Sequence, residues 1–128
     1  MRITLQADTL KEIEWDNAKS RVMVPTQSSN TIISSLNQLF RATHEILIKE
    51  DKNYVFQILL TTIIEKLFNT IKTELIVTSD MGYTLLCQEL DYLSENFKNL
   101  FEEKLKMDVT CIDNAVKDIE NVKVAHLV

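Results

Sequence analysis

The 128-residue chain contains one glycine and one proline, where these two residue types make up roughly 12% of an average protein. Hairpin turns and glycine-rich phosphate loops need backbone freedom that such a composition does not supply, which excludes β-rich folds and loop-cradled nucleotides. Basic residues are also short: 14 Lys and Arg stand against 19 Asp and Glu, a formal charge of −5 with no basic cluster. Nucleic acid and anionic membrane surfaces are therefore not expected partners. Cys87 and Cys111 lack CxxC spacing and a secretory-signal pattern, so reduced, buried thiols in the cytoplasm are expected. His44 and His126 have no Glu-x-x-His or His-Glu-x-x-His grammar around them. The carboxylates spread along amphipathic faces, and none is expected alone on an apolar stripe where burial would raise its pKa. Neither cysteine has a base or a positive setting that would make it a nucleophile. These absences leave no candidate catalytic, cofactor-binding or metal-ligating residue, and the expected activity is non-enzymatic.

What the chain does have is a long apolar stretch at 54–77. Val55, Ile58, Leu59, Leu60, Ile63, Ile64, Leu67, Phe68, Ile71 and Leu75 recur at three- and four-residue intervals and predict one helix over 53–77, the central rod of a bundle. Gln57, Thr61, Thr62, Glu65 and Lys66 make it too polar to span a bilayer. Charge enters only at Glu65, Lys66, Lys72 and Glu74, so the first half is expected to be the more completely buried.

Four further helices flank the rod. The first is predicted over 9–23, with Asp8 or Thr9 as its cap, Thr9 and Glu12 at capping-box spacing, and Leu10, Ile13 and Ala18 facing inward. Trp15 lies off that line and either packs at the bundle edge or anchors a partner. Pro25 separates this helix from a second over 30–49, whose apolar stripe is Ile32, Ile33, Leu36, Leu39, Phe40, Ile46 and Leu47. The other side of that helix carries Ser34, Ser35, Asn37 and Gln38, and no charged residue occurs between Thr26 and Phe40. Exposed helix faces normally carry Lys and Glu, so an uncharged face implies close approach of another helix, from this chain or a partner. Trp15, Ser34, Asn37, Gln38 and Arg41 are accordingly the candidate partner-contact residues.

A short polar link, with Asp51 or Asn53 as the cap of the rod, favours antiparallel neighbours. The next helix is predicted over 81–106, with Thr78, Ser79 or Asp80 as its cap. Leu86, Leu90, Leu93, Phe97, Leu100 and Phe101 line its core side, and Glu89, Asp91 and Glu95 fall among its solvent-side charges. Gly82 is the one unrestricted backbone position. The last helix is predicted over 109–123, with Asp108 as cap and Ile112, Ala115, Val116, Ile119 and Val122 inward. The expected fold is all-α: one domain, an antiparallel bundle of four to five helices, read as one bundle of a longer helical rod and a fragment of a longer chain.

Two stretches carry a family resemblance. Gly82, Leu86, Glu89 and Leu90, preceded by a long helix and followed by Leu93 and Phe97, resemble a recurring element of vesicle-tethering subunits: a helix opened by glycine, then a leucine, then an acid and an apolar residue. The run VPTQSSNTIISSLNQL is similar to the Pro/Ser-rich links between stacked bundles in the same proteins. The resemblance is to the C-terminal-type helical bundles of the exocyst, GARP and COG class of multisubunit tethering complexes. It implies a cytoplasmic protein peripheral to Golgi, endosomal or plasma membranes. Extended helical surfaces would contact sister subunits, SNAREs or small GTPases, with no active site and no cofactor. It assigns no role to any single residue. The alternatives are a free-standing adaptor or regulatory dimer, with the long helix as a homodimer seam, and a bundle holding an apolar ligand. Against the latter, the continuous Leu, Ile and Phe pattern implies a filled core.

Overall fold

The computed structural model describes the backbone of residues 3–13, 15 and 24–127, and the side chains of 6–13, 15 and 24–125. Among the described residues all regular structure is helical, and five helices form a bundle. They are α1 (Ile3–Glu12), α2 (Gln27–His44), α3 (49–73), α4 (80–104) and α5 (Thr110–Leu127). The all-α bundle is the class expected from the missing glycine and proline.

Helix starts follow local hydrogen-bonding chemistry. Thr26 has extended backbone, and its hydroxyl accepts the Ser29 N–H at 3.3 Å, capping α2. Ser79 does the same for α4, accepting the Gly82 N–H at 3.0 Å. Each cap contributes about 1 kcal/mol. Before α5, Asp108 Oδ1 accepts the Thr110 N–H at 2.9 Å and its hydroxyl at 2.6 Å. Those two bonds hold the Asp108 carboxyl below the usual carboxylate range. Helix α3 has no side-chain cap at Ile48, so the expected caps Asp51 and Asn53 lie inside it. Glu50 and Asp51 instead favour its positive end electrostatically.

Several boundaries differ from those the spacing predicts. Helix α1 begins at Ile3 and ends at Glu12, with Ile13 and Trp15 in a turn. The remainder of the expected 9–23 helix, Ala18 included, lies outside the described residues. Helix α2 stops at His44, so Ile46 and Leu47 fall in the link to α3. Helix α3 stops at Thr73 rather than 77, and residues 75–78 that follow have no regular structure. There Leu75 and Val77 are buried while Ile76 between them is 77% exposed, the two-residue alternation of a strand.

Both long helices contain a widened turn. In α3 the segment Ile63–Phe68 joins Lys49–Thr62 to Asn69–Thr73, and the Asn69 N–H reaches back five residues to the Ile64 carbonyl. In α4 the segment Asn99–Lys104 follows Asp80–Lys98, and the Leu105 N–H donates to the Leu100 carbonyl at 3.2 Å. Such turns give i→i+5 bonding within an α-helix. They coincide with the adjacent pairs Leu67–Phe68 and Leu100–Phe101, all four of which are buried. Just past the end of α4, Lys106 adopts a left-handed φ of 56° while its N–H bonds to the Glu102 carbonyl at 3.0 Å. The left-handed residue at a helix end is usually glycine. The chain's glycine is elsewhere: Gly82 is buried in the first turn of α4 and has no positive φ.

All five phenylalanines form one chain of ring contacts through the core. Phe40 on α2 meets Phe56 on α3 at 6.1 Å between centroids, and Phe56 meets Phe101 on α4 at 6.2 Å. Phe101 meets Phe97 at 6.4 Å, and Phe97 meets Phe68 at 6.0 Å. Mostly edge-to-face geometry makes each contact worth about 0.5–1.5 kcal/mol beyond burial. Helices α1 and α5 pack against the second half of α3, residues 63–73. That placement reverses the expected order of burial along the rod. Ile63, Leu67, Phe68 and Ile71 are buried, whereas in the first half Phe56 and Leu60 are buried and Tyr54 and Ile58 are exposed, on the side of the helix that the exposed Thr61 and Glu65 continue.

Candidate functional site

The uncharged face of α2 divides into two parts. Its first turn is used inside the chain: Ser28 and Ser29 are buried, and Asn30 Oδ1 accepts the Tyr92 hydroxyl of α4 at 2.6 Å. Farther along, Ser34, Asn37, Gln38 and Arg41 share one stripe at helical spacing. Ser34, Gln38 and Arg41 are exposed and Asn37 is half-buried. The stripe runs toward the α2–α3 corner, where the large apolar side chains Ile46, Ile48, Tyr54 and Ile58 are 78%, 64%, 69% and 50% exposed. Periodicity assigned Ile46 and Ile58 to the core and did not single out this corner as a contact. The early end of α2 leaves Ile46 in the link, and Tyr54 and Ile58 lie on the outer side of α3 with the exposed Thr61 and Glu65.

Trp15 does not belong with these contact residues. It is 1% exposed, and its indole N–H donates to the Leu10 carbonyl at 3.2 Å. That bond satisfies the one polar atom of the ring and lets the rest count as core, so its surface is not available to a partner.

A buried carboxylate overturns the expectation that no acid sits on an apolar stripe. Glu89, assigned to the solvent side, is fully buried. It accepts the Thr26 N–H at 3.0 and 3.1 Å, the Thr26 hydroxyl at 3.3 Å and a bond from the Ser29 side chain. Burial pushes its carboxyl above the usual range, with the bonds from Ser29 and Thr26 partly opposing that. The signal was present in the spacing, since Glu89 follows Leu86 by three residues and precedes Leu93 by four. Its function is to fasten the capped start of α2 to the middle of α4. Gly82, Leu86, Glu89 and Leu90, the residues that carry the tethering resemblance, are all buried.

The second buried charge is Lys123 of α5, 4% exposed, whose Nζ donates to the Leu75 carbonyl just beyond the end of α3. Burial lowers its pKa from the ordinary lysine value. It forms one wall of a cavity of about 220 Å³, which the link 75–78 and Lys72 and Thr73 complete.

Both described cysteines are free. Cys87 is half-buried and hydrogen-bonded to Tyr83, and Cys111 is exposed, contrary to its expected burial, because it lies on the solvent side of the first turn of α5. Burial, and then the bond to Cys87, push the Tyr83 hydroxyl up to about 12. Burial likewise raises the Cys87 thiol, with Glu120 and Asp91 adding to it. A thiol kept neutral is a weak nucleophile. His44 Nδ1 lies 3.2 Å from Lys52 Nζ and its ring tilts on Phe40, while the His126 side chain lies outside the described residues. Among the described residues no three His, Cys, Asp or Glu side chains gather as metal ligands would, and no helix is long and apolar enough to cross a membrane. The chain matches no protein-family model, no curated protein and no solved structure.

Proposed function

We propose that the protein is a helical interaction module that works by contact rather than catalysis, docking a partner on the α2–α3 corner and the adjoining stripe of α2. The observation that carries the reading is the exposure of the large apolar side chains Ile46, Ile48, Tyr54 and Ile58 in the α2–α3 link and the first half of α3. Apolar side chains gathered on a surface mark interaction sites more often than isolated ones do. Ser34, Asn37, Gln38 and Arg41 extend the surface with groups that form hydrogen bonds without the cost of burying a carboxylate. The setting implied by the sequence resemblance is a subunit of a vesicle-tethering complex, peripheral to an intracellular membrane. The partners would then be other helical subunits, SNAREs or small GTPases.

The test is affinity capture of the natural full-length protein from its own cells, in parallel with an Ile48→Glu/Tyr54→Glu variant, with sedimentation to measure self-association. A partner held by the wild type and lost by the variant supports the docking surface. Large helical subunits, SNAREs or small GTPases among the lost partners support the tethering setting. Loss of a homodimer would place the protein instead among regulatory dimers. Identical captures from wild type and variant would overturn the assignment of the corner.

A further inference from the structure

We infer that the cavity between the 75–78 link, the end of α3 and α5 is a binding site for a small aliphatic carboxylate, with Lys123 as its principal anchor. Taking an ammonium out of water is unfavourable unless it is paired and hydrogen-bonded. Lys123 is 4% exposed, its acceptor among the described residues is the neutral Leu75 carbonyl, and no carboxylate among those residues forms an ion pair with it. The carbonyl supplies one of the three acceptors an ammonium can use and no full negative charge. A ligand anion would supply both.

The cavity fits that role. It holds about 220 Å³, below the roughly 300–1,000 Å³ of sites for drug-sized molecules, which limits the ligand to a few heavy atoms. Lys72 adds a second ammonium to its wall, and Thr73 and Thr78 add hydroxyls, while Ile76 and Val77 give an aliphatic side. Among the described residues no acidic side chain lines it. Glu74, beside the link, is exposed and lies 4.0 Å from Lys11, and Asp118 lines a separate, smaller cavity with Lys72. Two lysines and the aliphatic Ile76 and Val77 in one lining match a carboxylate with a short alkyl chain. A polar anion such as inorganic phosphate would waste the apolar side. The lowered pKa of Lys123 is relieved when an anion arrives, so binding and protonation reinforce each other.

Butanoate is the probe, titrated into the full chain and followed by amide NMR. Saturable shifts at residues 75–78 and 123, with a Kd of roughly 1–10 mM as suits so small a ligand, are expected. Lys123→Met keeps the length of the stem and removes the ammonium, and it should weaken binding about tenfold or more. Ile76→Glu alters an exposed rim position that the fold does not depend on, so it decides the matter if the first variant does not fold. A carboxylate at the rim repels the ligand, and the same direction of change is expected. Absence of shifts at 75–78 and 123, unchanged affinity in the folded variants, or phosphate binding as tightly as butanoate would each overturn the inference.

Discussion

Glu89 offers the sharpest test of the packing between α2 and α4. In the Glu89→Ala variant the Thr26 N–H loses both of its carboxylate acceptors, which lie at 3.0 and 3.1 Å. A buried donor left without a partner costs about 1–3 kcal/mol, and the vacated side-chain volume adds a cavity term. Thr26 can turn its hydroxyl to Ser29 Oγ, 3.4 Å away, so that group keeps a partner. Relief of the buried charge offsets part of the loss, and a net destabilisation of about 2 kcal/mol is expected at neutral pH. Glu89→Gln keeps an acceptor oxygen and removes the charge. The two substitutions therefore separate the hydrogen bonds from the ionisation.

The pH dependence follows from the direction of the shift. The carboxyl titrates near 4.5 when unperturbed and higher in the folded protein, so between these two values the native state binds more protons than the unfolded state. The contribution from Glu89 is fully present below 4.5 and is lost as pH rises through the folded value. Urea unfolding followed by circular dichroism, repeated from pH 4.5 to neutrality, measures it. The Gln variant should gain on the wild type as pH increases, whereas the Ala variant should be the less stable of the two substitutions throughout. A constant difference between wild type and Gln would refute the raised carboxyl. An Ala variant as stable as the wild type would refute the clasp on Thr26.

Three further outcomes rest on single features. Lys106→Gly should raise stability by about 1 kcal/mol in the same urea assay, because it removes the cost of holding a side-chain-bearing residue at φ 56°. Phe97→Ala breaks two ring contacts of the aromatic chain, to Phe68 and Phe101, and should cost about 3–5 kcal/mol by thermal or urea unfolding. The Lys98–Asp113 ion pair joins α4 to α5 through half-exposed groups, so Asp113→Asn should cost less than about 1 kcal/mol, and that cost should shrink in high salt.

The folding class was legible before any coordinates, and for chemical reasons. One glycine and one proline leave few ways to turn a strand, and the three- and four-residue spacing of Leu, Ile and Phe admits only helices with a broad apolar face. Ser79 and Asp108 were readable as helix starts because their short polar side chains bond the backbone locally. Contacts made across the bundle were not readable in this way. Periodicity tells which face of a helix is apolar, but it does not tell which neighbour covers it. Tyr54 and Ile58 belong to the apolar run of the long helix, yet they fall on the side that the exposed Thr61 and Glu65 continue, while Phe56, Leu60, Ile63 and Leu67 face the bundle. Glu89 looked like one more surface acid until the start of α2 came to rest on it, and Trp15 looked available until its N–H found the Leu10 carbonyl. The residues of the resemblance, Gly82, Leu86, Glu89 and Leu90, fall on buried positions. Local hydrogen bonding and spacing determined the helices, whereas long-range packing decided which apolar side chains remain uncovered and which charges are buried.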